Sequence, residues 1–295
     1  MQPLVTGAGG LLGGNIVRTA SSAGWSVVGS YHTQKPAIKA TCEQLDITDT
    51  QRFEELLLRY TPETVINCAA MTDVDACEDN PEQARSVNGV VPGEMARIAD
   101  EHGVGFVQIS TDYVFDGEKD GRYEPDDTPN PVQAYGESKL YGERTVKETH
   151  SDPWIVRLSF VYGRDLQGDL EGFPAWVLGR LESDELTPVF VDQYITPTRA
   201  GSAAETILDL VQTQGGKTVH VAARDCITPY EFGVTLAEIT GHSTELLEEG
   251  SMADIDRAAE RPKNTCLFIK EVESILGRSQ PTVEADLRAL TQSIR

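Results

Sequence analysis

Two rhythms of apolar and polar positions alternate along most of this chain. Short apolar runs that stop at glycine or a polar residue lead into stretches with apolar residues at i, i+3, i+4 and i+7, the pattern of buried strands followed by amphipathic helices. Residues 3 to 6 form the first run; it stops at Gly7, and Leu11, Leu12, Ile16 and Val17 then fit the buried side of a helix. Trp25 to Tyr31 predicts a second strand, and a short third ends near Leu45-Asp46-Ile47. Phe53, Leu56, Leu57 and Tyr60 set a helix over 50–60, which Pro62 ends. Thr64 to Ala70 reads as the fourth strand. Pro81 opens a helix carrying Val87, Val91, Met95 and Ile98 inward as far as about His102, and Val104 to Ser110 is the fifth strand. Asp116 to Pro131, rich in Asp, Gly and Pro, is a loop; a helix with Tyr135 and Lys139 and the strand Trp154 to Leu158 follow.

Beyond Gly163 the rhythm loosens. A helix near 173–182, a strand near 189–191, a helix over about 199–213 and a strand from Thr218 to Val221 predict that the chain leaves the sheet and returns. Thr228-Pro229-Tyr230-Glu231 has capping-box spacing, and Gly241 is placed to stop that helix. The remainder reads as mostly helical with a polar tail. The expected fold is α/β, a doubly wound, mostly parallel sheet with helices on both faces and a smaller, mostly helical C-terminal lobe.

Composition narrows the function classes. With 295 residues, 39% apolar and 7% aromatic, the chain suits a globular protein. It has no basic leader and no run near the roughly 18 apolar residues of a membrane span, so a cytoplasmic protein with no membrane partner is expected. The five cysteines, Cys42, Cys68, Cys77, Cys226 and Cys266, are odd in number and lack a Cys-x-x-Cys pair. Buried free thiols are therefore expected, with neither a disulfide framework nor a metal site. Net charge is -22, and eight of the 25 basic residues are lysines. Such a surface repels nucleic acid and suits a high-salt cytoplasm, where its self-repulsion is screened.

The candidate chemistry lies at strand ends. Gly7-x-x-Gly10-x-x-Gly13, after a strand and opening a helix, lets the backbone approach a pyrophosphate and turns helix N-terminal amides toward it, which points to a dinucleotide. The end of the second strand, Ser30-Tyr31-His32-Thr33, has no carboxylate for the ribose hydroxyls and no arginine; His32, Lys35 and Lys39 could meet a 2′-phosphate. NADPH and NADH both stay open, with a slight lean to NADPH. Ser110 and Thr111 end the fifth strand at the ligand edge of such sheets. Tyr135 and Lys139, four apart, share a helix face, so the ammonium can favour the ionised phenol and a hydroxyl can hold a carbonyl oxygen that the phenol protonates.

The glycine fingerprint, the Ser/Thr after strand five and Tyr-x-x-x-Lys together resemble the extended short-chain dehydrogenase/reductase superfamily, whose fold is Rossmann-type. Asn67 to Asp75, Ser110 to Gly117, Tyr135 to Glu143, Arg157 to Tyr162, Asp192 to Thr198 and Arg261 to Thr265 then resemble, in order, successive motifs of the dTDP-4-dehydrorhamnose reductase family. The resemblance implies a dinucleotide-binding domain over 1–163 with a returning segment at about 198–223, and a substrate-binding lobe over 164–197 and 224–295. It implies that Gly7, Gly10, Leu11, Leu12 and Gly13 bind the cofactor pyrophosphate, that Asp46 and Ile47 flank adenine, and that Ala70, Met71 and Thr72 line the path to nicotinamide. Lys139 would hold the nicotinamide ribose, Tyr135 would donate the proton, and Thr111, Asp112, Phe160, Gln193, Arg261 and Asn264 would meet a nucleotide sugar.

Two departures concern the sugar. Phe160 stands where the family often has Trp, and Ile195 stands at a usual glycine. The activity implied is NAD(P)H-dependent reduction of the 4-keto group of a nucleotide-activated 6-deoxysugar, and a homodimer is an assembly some relatives adopt. Two alternatives are a nucleotide-sugar epimerase or dehydratase, and a non-catalytic regulatory subunit resembling that of methionine adenosyltransferase.

Overall fold

A computed structural model describes residues 1–292. Its strands are β1 (Pro3–Thr6), β2 (Val28–Tyr31), β3 (Thr41–Gln44), β4 (Thr64–Asn67), β5 (Gly105–Thr111), β6 (Trp154–Leu158), β7 (Val161–Arg164), β8 (Leu170–Glu171), β9 (Thr187–Phe190), β10 (Thr198–Arg199), β11 (Thr218–His220) and β12 (Leu247–Gly250). The α-helices are α1 (Leu11–Ser22), α2 (Thr50–Tyr60), α3 (Val74–Asp79), α4 (Pro81–Arg85), α5 (Val91–Glu101), α6 (Ala134–Thr149), α7 (Phe173–Glu182), α8 (Ala200–Leu210), α9 (Pro229–Thr240), α10 (Lys270–Leu276) and α11 (Val283–Gln292). Seven strands form the central sheet in the order β11-β6-β5-β4-β1-β2-β3, every neighbouring pair parallel. The order reverses between β1 and β4, which opens a crevice beyond their carboxyl ends.

Period-two alternation explains the two covered faces. Val5, Ile66, Val107 and Val156 pack under α1 and α8 with Ile16, Val17, Ala203 and Ile207. Their sequence neighbours Leu4, Val65, Phe106 and Ile155 face the other way, against Phe53 and Leu56 of α2, Met95 of α5 and Val146 of α6. Each such side chain stabilises the sheet by about 1.5–3 kcal/mol through burial. A third core joins α7, α9 and α11 to the β9-β12 pair through Leu181, Val189, Phe232, Leu247 and Leu287.

Several expectations need correction. β2 starts at Val28, because Trp25 and Val27 are apolar for packing and not for pairing. The helix expected from Pro81 to His102 is interrupted by a π turn over Ser86–Val90. Pro92 lacks the N–H that would meet the carbonyl of Asn88, so the regular ladder cannot run through. α3 was not visible as a separate helix. After Gly241, which ends α9 with φ +78°, the chain is not mainly helical until Lys270: β12 and short 3₁₀ turns come first. The last three residues of the polar tail, 293–295, lie outside the described residues.

The cysteine expectation also fails in part. Cys226 and Cys266 form a disulfide, with Cα atoms 5.5 Å apart and 40 residues between them in sequence. Tertiary approach of the segment after β11 to the segment before α10 sets this pairing, and spacing does not encode it. Cys42, Cys68 and Cys77 are free thiols. No helix among the described residues is long and apolar enough to cross a membrane.

Candidate active site

The site is built from the carboxyl ends of β1, β4 and β5. Gly7 has φ +67°, and a Cβ there would come 2.9 Å from the Ala69 amide nitrogen; a Cβ on Gly13 would come 2.3 Å from the Gly7 carbonyl oxygen. Only glycine fits either position. Gly10 precedes α1 without a side-chain cap, so the first-turn amides of α1 face the crevice free of a capping group. A buried polar row then crosses the sheet: Thr6 Oγ1 donates to Asn67 Oδ1 at 2.6 Å, Asn67 Nδ2 to Gln108 Oε1 at 2.8 Å, and Gln108 Nε2 to the Ile109 carbonyl at 2.8 Å.

Lys139 completes that row. Its Nζ donates to the same Ile109 carbonyl at 2.6 Å, and burial lowers its pKa to about 8. Tyr135, one turn earlier on α6, keeps its phenol well above the ordinary value because it is buried, while the Thr111 hydroxyl, turned toward it outside strict hydrogen-bond geometry, favours the ionised form. The expected cation-driven lowering is thus overridden in the protein chain itself by desolvation. Thr111 also accepts the Tyr113 amide at 3.2 Å and donates to Asp112 Oδ1 at 3.1 Å. Burial pushes the Asp112 carboxyl up to about 6; Thr265 and Ser159 turn buried hydroxyls toward it, outside strict hydrogen-bond geometry, and pull it partly back. Ser110 goes elsewhere: its hydroxyl donates to Glu143 at 2.6 Å, a carboxylate that Arg157 holds at 2.7 and 2.8 Å.

Backbone approach fixes α6. A Cβ on Gly136 would sit 2.0 Å from the Tyr113 carbonyl oxygen, and one on Gly142 would sit 2.2 Å from that of Asn88. Asn88, on the π turn, accepts the Met71 amide at 2.8 Å and donates to the Met71 carbonyl at 2.9 Å and to Ser138 Oγ at 3.0 Å. It ties the loop after β4 to the helix carrying Tyr135.

These groups face a cleft of 760 Å³. Gly7, Gly10, Leu11, Leu12, Gly13, Ala70, Thr72, Thr111, Asp112, Tyr135, Lys139 and Phe160 all line it. Ile195 lines it too, and Phe160 meets it with φ +46°, an uncommon conformation for a bulky residue. Asp46 lies beyond, in a neighbouring shallow cleft with Tyr31, His32 and Arg52, where it accepts from Thr48 and lies 3.6 Å from His32. Ile47 is buried behind it, and Lys35 and Lys39 line neither cleft. Met71 is set back by Asn88. Gln193 is buried, and its side chain lies close enough to the Tyr113 phenol to favour the ionised form. Arg261 forms a fork on Asp75 at 2.8 and 3.2 Å. Asn264 donates to the carbonyls of Lys119 and Gly121 at 2.8 and 2.7 Å, so its side chain holds a loop.

Asn67, Asn88, Gln108 and Tyr113 were not singled out in the sequence. Tyr113, edge-on to Tyr135 with ring centroids 6.1 Å apart, followed Thr111 and Asp112 directly and was the most accessible of the four. Among the described residues no group of three or more His, Cys, Asp or Glu side chains forms a metal cluster.

The parallel sheet, the glycine loop at its switch point and the Thr, Tyr, Lys set make this an oxidoreductase of the extended short-chain dehydrogenase/reductase class. Its sequence matches the family model described as RmlD substrate binding domain across residues 1–295, and the chain belongs to that family, the dTDP-4-dehydrorhamnose reductases. It is 50% identical over 98% of its length to a Haloferax volcanii protein named probable low-salt glycan biosynthesis reductase Agl14, covering 97% of that protein. A Mycolicibacterium smegmatis dTDP-4-dehydrorhamnose reductase is 33% identical over 90% of this chain and 77% of its own. In structure, a Bacillus anthracis dTDP-4-dehydrorhamnose reductase solved in complex with NADP superposes with TM-score 0.88 at 26% identity, covering 99% of each chain. The Haloferax relative supports the halophilic reading of the acidic surface.

Proposed function

We propose that the protein reduces the 4-keto group of a nucleotide-activated 6-deoxysugar with NADPH or NADH, in glycan synthesis, and that Tyr135 gives the proton. The observation that carries this reading is the convergence of Thr111, Tyr135 and Lys139 in one cleft that begins at the glycine loop. The cradle fits a dinucleotide, because Gly7 and Gly13 let the loop fold tightly where a Cβ would strike backbone, and the amides of α1 face the cleft uncapped. When bound, the cofactor supplies hydride to carbon 4.

The chain's own groups handle the oxygen. Burial keeps the Tyr135 phenol protonated at neutral pH, the state a donor needs. The Thr111 hydroxyl, turned toward the phenol, favours the phenolate left behind, and the Lys139 cation stabilises the same charge. Asp112, Phe160 and Ile195 wall the side where a sugar would lie. The names of the Haloferax and Mycolicibacterium relatives support the glycan and 4-keto-sugar parts of the reading.

The test is oxidation of NADPH and NADH at high and low salt with a panel of nucleotide-linked 4-keto sugars. Oxidised cofactor should appear in proportion to sugar consumed, and Tyr135→Phe should lower the rate by about 10²–10⁴ while leaving cofactor affinity intact. No net oxidation with any sugar, or an unchanged rate in the Phe variant, would overturn the reading.

A further inference from the structure

Residues 251–264 form a strap from the smaller lobe to the rim of the cleft. At one end, the Ala259 amide donates to Asp75 Oδ1 at 2.9 Å beside the Arg261 fork. At the other, the Tyr194 amide donates to the Lys263 carbonyl at 2.7 Å, and the Thr265 amide to the Tyr194 carbonyl at 2.8 Å. Arg257 precedes both of these anchors and follows a third, Asp192, whose carboxylate accepts from the Ser251 hydroxyl at 2.6 Å and the Met252 amide at 2.9 Å. Its guanidinium carbon stands 5.0 Å from the ring centroid of Phe190, at the end of β9.

The position of Arg257 relative to the site follows from two neighbours. Burial raises the Tyr113 phenol to about 12, and the charges of Arg261 and Arg257 pull it back. The Ala259 amide and Arg261 hold the Asp75 carboxyl below its ordinary value, and Arg257 adds to the effect. Asp75 directly follows Val74, which lines the cleft with Tyr113, so the Ala259 bond to Asp75 sets Arg257, two residues earlier on the strap, beside that rim.

The two arginines differ in what they have left to give. Arg261 is neutralised by a fork on one carboxylate, whereas Arg257, half-buried, makes no ion pair among the described residues. That is notable in a chain with 47 Asp and Glu against 25 Lys and Arg. The ring of Phe190 holds the guanidinium without neutralising it, leaving its N–H groups for an anion. An anion with two adjacent phosphoryl groups matches this fork.

We propose that Arg257, held on the face of Phe190, binds the diphosphate of the nucleotide-linked sugar whose reacting end lies at Thr111 and Tyr135. The sugar part of this statement rests on the reductase reading; the diphosphate part does not. Arg261 then anchors the strap through Asp75, and Arg257 is the residue that contacts substrate.

Calorimetric titration of the full chain with dTDP and UDP, and with thymidine and uridine as uncharged controls, tests this. Arg257→Ala should weaken diphosphate binding by about ten- to a hundredfold, the loss of a charge-assisted contact. Arg257→Lys should recover part of it, Phe190→Leu should weaken it less, and nucleoside and NADPH affinities should stay as they are. In turnover, KM for the nucleotide sugar should rise more than kcat falls. Equal diphosphate affinity in wild type and Arg257→Ala, or a wild type that binds neither dTDP nor UDP, would overturn the proposal. Arg257-dependent diphosphate binding without reduction of any 4-keto sugar would uphold this site and sink the reductase reading instead.

Discussion

Lys139 Nζ and Gln108 Nε2 donate to one carbonyl oxygen, that of Ile109, at 2.6 and 2.8 Å. The shared acceptor links α6 to the polar row that starts at Thr6, so the ammonium is held by the sheet and not by a carboxylate. Burial sets its pKa to about 8. In the proposed mechanism the cation stabilises, below that pH, the phenolate left on Tyr135; above it the cation is lost. Sugar reduction should therefore fall as pH rises through about 8, approaching tenfold per pH unit in kcat/KM. Lys139→Met should lower the rate throughout and flatten that limb. A wild-type profile level from pH 7 to 10 would remove Lys139 from this role.

Ser110 and Thr111 are neighbours with opposite assignments. Thr111 turns its hydroxyl toward the phenol, while Ser110 supplies a third hydrogen bond to the buried Glu143-Arg157 pair. Thr111→Val should cost about 10–10²-fold in kcat with little change in melting temperature. Ser110→Ala should do the reverse, losing about 1–3 kcal/mol of stability because a buried carboxylate gives up a donor. Denaturant titrations beside steady-state rates separate the two. Equal loss of rate in both variants would show that Ser110 also acts on the substrate.

Asp112 opposes folding for the sake of the site. Its carboxyl is pushed up to about 6 by burial, whereas an unfolded Asp ionises near ~3.9. Between those values the folded chain keeps a proton that the unfolded chain has released. Stability from this group is therefore full below pH about 4, declines as pH rises to about 6, and stays about 3 kcal/mol lower beyond. Asp112→Asn should unfold at higher denaturant than wild type at pH 7, the gap closing near pH 4, and should reduce the sugar more slowly. A gap of the same size at both pH values would sink this account.

What could be read from the sequence was local or strictly periodic. Burial on both faces makes the central strands continuous apolar runs, and Gly7 and Gly13 announce a turn that admits no Cβ. The Thr228-Glu231 cap and the Gly241 stop also lie within a few residues of one another. What was hidden depends on distant partners. Val87, Val91, Met95 and Ile98 keep nearly helical spacing through the π turn, so periodicity cannot show that Pro92 breaks the ladder at Asn88. Asn67 and Gln108 read as ordinary strand residues until β1, β4 and β5 stand side by side. Asn264 and Arg261 sit in the expected motif, yet their side chains are occupied by the 119–121 loop and by Asp75.

The disulfide is the part of the structure least visible in the sequence, and its consequences are measurable. Ile227, next to Cys226, exchanges backbone hydrogen bonds of 2.9 and 3.0 Å with the cleft-lining Ile195, while the Cys266 carbonyl accepts the Tyr123 amide at 2.8 Å. The bond thus ties the segment behind Ile195 to the one that follows Arg261 and Asn264. Closing a loop of 40 residues restricts the unfolded chain by about 4 kcal/mol in the chain-entropy account. The double variant Cys226→Ala, Cys266→Ala should melt roughly 6 °C lower, and a thiol reductant should lower the wild type alike without affecting the variant. Thiol titration of the unfolded, unreduced chain should count three groups, those of Cys42, Cys68 and Cys77. A count of five, with melting indifferent to reductant, would show that Cys226 and Cys266 stay reduced in the protein and that the 226–266 contact is held by packing alone.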